Sequence, residues 1–384
     1  MSNYTIKEVT TRRDLRKFIA FPDKLYKDCP QWVPALRSDQ VKSLTSCASL
    51  KYCKHKLWLA YDASGKIVGR ISGMINPRYN ELYKCHRARF GWFDTINDHD
   101  VAALLLSTAE AWAREEGMDE IHGPLYYNTL GKQGMLVEGF EHTPVFNVLY
   151  NFPYYQELVE SLGYEKECDW IELKVPAYDG ATDKLRRVSN ALIQRYGLHE
   201  GNIEDLKKDR EKVKEFFRAY NESFLGSVHN FVPFTDEEIE EETASFLPYL
   251  KHKTCIVILD ADNNLAAFGI SVPDLSEALK KAKGHLFPFG WWHILRAMKH
   301  YENVDMLLNG AVPKWQNTGI SAILHTLLGD RYVANGTRWA FSNPQLETNG
   351  AALNVWSRYA SELHMRRRCY LKKLQPCDSA AESR

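Results

Sequence analysis

Two apolar hairpins, each turning on an aspartate, restrict this chain more than any other feature. Leu57-Trp-Leu-Ala-Tyr61, the turn Asp62-Ala-Ser-Gly-Lys66 and Ile67 to Ile75 make the first; Cys255-Ile-Val-Ile-Leu259, Asp260-Ala-Asp-Asn-Asn264 and Leu265 to Val272 make the second. β-Branched and aromatic runs on either side of a Gly/Asn/Asp turn are the signal of paired strands. Asp62 and Asp260 stand 198 positions apart, and so do Asn151 and Asn349, each of which opens a late helical pattern. Two anchors at one separation predict two copies of one α/β unit, residues 1–176 and 183–375, with a linker across 176–182 and a frayed polar tail at 376–384. A chain of 384 residues accommodates two such domains.

Within the first copy the periodicity predicts a helix over 11–26, bent or ended by Pro22, and a second over 38–50. A strand at 89–93 leads to a helix at 98–116 and a strand at 120–122, whereas 123–150, rich in glycine and aromatics, takes no assignment. A helix at 151–162 places Tyr155, Leu158, Val159 and Leu162 inward, stops at Gly163, and is followed by a strand at 170–175. The second copy restarts with helices near 183–196, 207–224 and 236–250 before its hairpin.

The chemistry concentrates in Val304 to Leu328. Met306 to Val312 is expected as a buried strand, ended by Pro313, which has no N–H to give a ladder. Ile320, Ile323, Leu324, Leu327 and Leu328 then recur at helical spacing, so a helix starts near Gly319 with its unpaired N–H groups aimed beyond the sheet. That end is an anion site. Neither a Gly-Lys-Ser/Thr nor a Gly-x-Gly-x-x-Gly is present, which excludes a nucleotide P-loop and a dinucleotide fingerprint. The competing reading is an ordinary turn capped by Asn317 or Thr318. In the first copy the corresponding loop, Asp94-Thr-Ile-Asn-Asp98-His-Asp100, carries three carboxylates and would repel a phosphate.

Gln316-x-x-Gly319-x-Ser321 resembles the Arg/Gln-x-x-Gly-x-Gly/Ala loop of the GCN5-related N-acetyltransferase superfamily. Longer phrases resemble the tandem-domain subgroup related to bacterial ceramide synthase: Phe21-Pro-x-x-Leu25-Tyr26-Lys27-Asp28 with Trp32-Val33-Pro34, Val137-Glu-Gly-Phe140, Tyr150-Asn-Phe-Pro-Tyr-Tyr155, Asn221-Glu222, Phe231-Val-Pro233 and Leu286-Phe-Pro-Phe-Gly290. The resemblance implies an α/β fold with α+β mixed sheets in two tandem N-acetyltransferase-like domains, the N-terminal one degenerate. It implies acetyl-CoA or a longer acyl-CoA as cosubstrate, its diphosphate held by Val312, Gln316, Asn317, Thr318, Gly319, Ile320 and Ser321, with Asn349 nearby. It also implies transfer of the acyl group to a primary amine, a long-chain sphingoid amine in that subgroup.

Such a transfer needs a base for the ammonium proton and a donor for the leaving thiolate, and no cysteine nucleophile. Glu222, beside a Gly-Ser-Val-His-Asn loop, is the candidate base, and Asn309 a candidate partner for the acyl carbonyl or the pantetheine arm. The family's acid tyrosine position is Trp356 here, with Tyr359 one turn on as the candidate donor. His229 and His325 read as surface or helix residues. Phe287, Phe289, Trp291, Trp292, Ile294, Leu295 and Met298, beside Arg296 and Lys299, read either as a membrane-surface helix or acyl lid or as a core helix packing the two copies together.

Lysine plus arginine equals aspartate plus glutamate at 49 each, so no global field favours nucleic acid. The eight cysteines form no C-x-x-C and no cluster with histidine in sequence, which predicts no metal and a reducing, cytoplasmic setting with at most peripheral contact at the inner membrane surface. An acyl carrier protein is a conceivable donor partner. The alternatives to lipid N-acylation are a short-chain acetyltransferase on a small amine or peptide, an aminoacyl-tRNA-dependent transferase, and an acyl-CoA or lipid-binding protein of the same fold without turnover. The absence of a long heptad arm and of a basic stripe counts against the tRNA reading.

Overall fold

The computed structural model describes residues 3–177, 180–225, 228–350, 353 and 360–375. In chain order the elements are β1 (Thr5–Glu8), α1 (Arg12–Leu25), α2 (Arg37–Thr45), β2 (Lys54–Tyr61), β3 (Ile67–Ile75), α3 (Pro77–Tyr83), β4 (Arg87–Thr95), α4 (His99–Glu115), β5 (Glu120–Gly123), β6 (Met135–Glu138), α5 (Tyr154–Ser161) and β7 (Glu165–Pro176). They continue as α6 (Asp183–Tyr196), β8 (His199–Gly201), α7 (Ile203–Leu206), α8 (Arg210–Phe224), α9 (Asp236–Phe246), β9 (Cys255–Leu259), β10 (Leu265–Pro273), α10 (Ser276–Ala282), α11 (Gly290–Lys299), β11 (Asn303–Ala311), α12 (Ile320–Ala334), β12 (Trp339–Ser342), β13 (Gln345–Leu346) and β14 (Glu362–Lys373). Two compact units result: one from the residues up to Trp170, 283–288 and those from Met365 on, the other from Ile171–Ala282 and Phe289–His364.

In the first unit the sheet runs β1-β2-β3-β4-β5, antiparallel except for β4 beside β5, and Tyr370–Lys373 add an antiparallel edge to β5. α4 covers one face because Val101, Leu105, Leu106, Ala109 and Trp112 recur at helical spacing and pack on Trp58, Ile71, Phe90 and Ile121. The other face takes α1 through Phe18 and Ile19 against Leu57, Leu59, Met74 and Trp92. Pro22 lies inside α1 and does not end it. The carbonyl that its missing N–H leaves free, Phe18 O, accepts instead from Arg70 Nη1 at 2.8 Å, so the backbone group stays satisfied.

The second unit repeats the order, β8-β9-β10-β11-β12, with β11 and β12 parallel and Lys174–Pro176 of β7 pairing antiparallel to β12. α12 buries Ile320, Ile323, Leu324 and Leu328 on Val304, Met306 and Ala340. α8 covers the opposite face, with the Phe216 ring 4.6 Å from that of Phe268. Each unit has one register shift between its hairpin and its next strand, beside Arg70 and Ser72 in the first and Ile270 and Ser271 in the second. Where the first unit joins β3 to β4 through α3 alone, the second joins β10 to β11 through α10 and α11.

Several boundaries differ from the sequence reading. β11 begins at Asn303 and ends at Ala311, because Val312 turns into a single 3-10 turn, Pro313–Trp315. β1, α3 and α10 had no assignment, being too short for periodicity to show. Segment 123–150 contains β6 and is otherwise irregular, held by side chains such as Tyr126, whose ring stacks 3.6 Å from that of Trp92. The tail at 376–384 lies outside the described residues. Gly91 shows how close this segment comes to the sheet: a Cβ there would sit 2.3 Å from Leu125 O and 2.9 Å from Met74 Cε. Gly91→Ala is expected to lower stability by about 1–3 kcal/mol through overpacking, read as a drop in the urea midpoint at unchanged slope.

Candidate active site in the second unit

The loop after β11 builds an open helix end. Trp315 is buried, its ring 5.5 Å from that of Tyr196, which anchors the 3-10 turn. Gln316 is extended, with Nε2 donating to Ala311 O at 3.1 Å. Asn317 (φ 61°) and Gly319 (φ 88°) are both left-handed, and Gly319 is the N-cap of α12. A left-handed glycine costs no Cβ clash, and having no side chain it leaves the end of the helix uncovered. Thr318 Oγ1 turns back to Trp315 O at 2.6 Å, so neither Asn317 nor Thr318 caps the helix, and the capped-turn alternative is corrected. Among the described residues no group accepts from the N–H of Gly319, Ile320 or Ser321. By contrast α4 of the first unit is capped by Asp98, whose Oδ1 accepts from Val101 N at 3.1 Å. Among the described residues, the end of α12 is thus uncapped where the end of α4 is capped.

Next to this end two parallel strands part. β11 and β12 stay in register from Asn303↔Trp339 to Met306↔Ser342, and Asn343 closes the pairing through N to Met306 O and Nδ2 to Leu307 O, both 2.9 Å. β12 ends there while β11 runs on to Ala311, whose carbonyl takes Gln316 and Ser223, so that Leu308 to Gly310 have no strand on that edge among the described residues. An unpaired parallel edge offers N–H and C=O groups to an extended amide-bearing chain. Asn309 faces Gly269 across β10, and its Oδ1 is buried with no hydrogen-bond partner. An acceptor atom in that state calls for an N–H, which suits a pantetheine amide better than an acyl carbonyl. Ser223, not anticipated, donates to Ala311 O at 2.9 Å.

Asp305 is the residue that sequence reasoning missed. It is 1% exposed, and both carboxyl oxygens are buried without a hydrogen-bond partner. Burial first, then the neighbouring Asp274 and Glu172, hold its carboxyl well above the usual carboxylate range. Glu172 is likewise 1% exposed. Asp305 pairs with Phe341, one pair before the strands part, and the Phe341 ring lies 4.8 Å from that of His364. The available signal was one acid inside the apolar run Val304-Asp-Met-Leu-Leu308, which a buried strand does not need. A carboxyl held this way binds a proton more tightly than an ordinary one, the property a base for an ammonium group needs.

The other expected residues fall in different places. Glu222 is on the exposed side of α8, one position before Ser223. Asn349 accepts from Leu353 N at 3.0 Å, the i to i+4 bond of a helical turn, while Trp356 and Tyr359 lie outside the described residues. Burial pushes His325 down to about 4, so its imidazole is neutral at physiological pH. In the aromatic stretch only Gly290 and Ile294 of α11 are buried; Phe287, Phe289, Trp291, Trp292 and Leu295 are 79%, 70%, 44%, 47% and 51% exposed. The core reading of that stretch is thereby corrected for all but Ile294. Folding also joins what the sequence separates. In the first unit Cys369 Sγ and His122 Nδ1 share Glu167 Oε2 at 3.2 and 3.1 Å, while Arg87 holds the other oxygen at 2.7 Å.

No family model matches the chain. It is 30% identical over 383 residues to Protein YghO of Escherichia coli (strain K12), covering 96% of this chain and 95% of that protein. It is 26% identical over 308 residues to the bacterial ceramide synthase of Caulobacter vibrioides, covering 78% and 77%. Among solved structures, a tandem GNAT protein from the clavulanic acid biosynthesis pathway matches at TM-score 0.56 and 10% identity, over 98% of this chain and 100% of that one.

Proposed function

This chain belongs to one family with Protein YghO and has the tandem GNAT fold, and we propose that it transfers an acyl group from a CoA thioester to a long-chain lipid amine. The observation that carries the reading is the set of unpaired amides at Gly319, Ile320 and Ser321 beside the open edge of β11. The thioester brings an acyl carbon activated toward an amine. Gln316 to Ser321 hold its diphosphate, the open edge at Leu308 to Gly310 aligns its arm, and Asn309 Oδ1 takes an amide proton. Asp305, with Glu172 and Asp274, draws in the ammonium and removes one proton, a role given to Asp305 because Glu222 faces solvent. The nitrogen then forms its bond to the acyl carbon as the carbon–sulfur bond breaks, and its second proton leaves on the departing thiolate, which is released as free CoA thiol.

A lipid acceptor is favoured by α11. Phe289, Trp291, Trp292 and Leu295 are exposed beside Lys281, Arg296 and Lys299, also exposed, and α11 contains no acid. Aromatic and basic side chains on one short helix suit the headgroup layer of an anionic bilayer. No helix among the described residues is long and apolar enough to cross a membrane, so this contact is peripheral. Replacing Trp291 and Trp292 together by alanine is expected to cut co-sedimentation with phosphatidylglycerol vesicles at least about tenfold. Equal sedimentation of the variant and the native chain would remove the membrane from the proposal.

The decisive experiment offers acetyl-CoA, palmitoyl-CoA and an acyl carrier protein thioester, each with sphinganine or with a small soluble amine, and follows thiol release. Sphinganine-dependent release is expected. Release with the small amine and acetyl-CoA alone would make this a short-chain acetyltransferase, and CoA binding without release from any pair would make it a binding protein.

A further inference from the structure

The first unit contains a cavity, between α1 and β4, that acyl transfer in the second unit leaves unused. Trp32, Trp92, Tyr126 and Tyr150 wall it, and the rings of Tyr26 and Trp32 stack at 5.6 Å beside the Trp92–Tyr126 stack. Six residues of the phrases that mark the family resemblance, Pro22, Trp32, Val33, Tyr150, Asn151 and Tyr155, converge on it.

Its charges do not balance. Asp94 already receives Arg70 Nε at 2.7 Å and the Tyr26 hydroxyl at 2.9 Å, and Asp23 receives Arg37 Nη2 at 2.5 Å. Each carboxylate in the lining thus has its own arginine. Among the described residues Lys132 has one hydrogen bond, to Val148 O at 2.9 Å, and no carboxylate within ion-pair distance. An ammonium has three donors, so the remainder face an aromatic cavity unpaired. Arg37 Nε is also buried without a partner. Burial and the nearby Arg367 and Arg70 push Lys132 down to about 8 against the opposing pull of Asp94, a carboxylate that Arg70 and Tyr26 already hold. A cation so placed is costly unless something negative joins it.

We propose that this cavity binds a small monocarboxylate with a short apolar tail, its oxygens on Lys132 and its tail against Trp32, Trp92 and Tyr126. One uncompensated positive charge selects a monoanion, and the aromatic walls select an apolar body over a hydrated ion. Asp94, held by Arg70 and Tyr26, repels a second negative charge.

The test titrates the whole chain with sodium hexanoate, inorganic phosphate and hexylamine at constant ionic strength, following tryptophan fluorescence. Hexanoate is expected to saturate, with Kd raised about tenfold or more in Lys132→Met and kept within about threefold in Lys132→Arg; hexylamine should do nothing. Hexanoate should also shield Lys132 from acetic anhydride, read by peptide mass on the native chain, which does not depend on any variant folding. Saturation by phosphate alone overturns the carboxylate assignment. A hexanoate response of equal Kd in Lys132→Met, or no shielding of Lys132, overturns the site.

Discussion

Asp305→Asn should give a protein that is at once more stable and far less active. The amide is nearly isosteric and cannot take a proton from the ammonium, so acyl transfer is expected to fall by roughly 10²–10⁴-fold in kcat with little change in CoA affinity. The stability effect has the opposite sign. In the unfolded chain the carboxyl ionises near its ordinary value of about 4, whereas in the fold burial beside Asp274 and Glu172 raises it. A raised carboxyl binds more protons folded than unfolded, so it costs stability as pH climbs from about 4 toward the folded value. Thermal scans should show Asp305→Asn unfolding at a higher temperature than the native chain at pH 8 and close to it at pH 4. Loss of activity accompanied by loss of stability at pH 8 would mark Asp305 as a structural residue and return the base to another group.

Gly319→Asp should weaken CoA binding by about tenfold to a hundredfold, or roughly 1.4–2.8 kcal/mol. Two effects add. A side chain at φ 88° meets the left-handed penalty of about 1–2 kcal/mol, and its Cβ would lie 3.3 Å from Leu192 Cδ1. A carboxylate at the N-cap would also accept from the amides that the diphosphate needs, and repel it. Gly319→Asn separates the two, since asparagine tolerates this conformation and carries no charge. Calorimetric titration with CoA is expected to rank glycine above asparagine above aspartate. Unchanged affinity in the aspartate variant would place the diphosphate elsewhere, and the thioester reading of the loop would go with it.

The loop was legible because its cause is local. Pro313 ends a strand, an apolar 3.6-residue period starts a helix, and glycine between them admits a left-handed turn, all within a short stretch of chain. The duplicated hairpins were legible for the same reason, each being a turn sequence between two apolar runs. Glu222 was chosen on its neighbours in sequence, and the direction of a helical side chain is fixed by which face of α8 meets the sheet. That face presents Ser223. Trp291 and Trp292 drew a core reading because aromatic periodicity looks alike whether the face is covered or bare. Only the packing of α11 shows that Ile294 is its buried contact.

By itself the sequence determined where the backbone turns and pairs: two apolar hairpins, and a strand that Pro313 ends before a helix begins near Gly319. Turn chemistry and hydrophobic period act over a few residues and need no partner at a distance. What the tertiary structure decided was the state of individual side chains. Folding buries Asp305 and then brings Asp274 and Glu172 near it, which together hold its proton, and Arg70 and Arg37 take the two carboxylates of the cavity that Lys132 lines. Burial and charge balance are sums over neighbours far apart in the chain, so no reading of one residue at a time contains them.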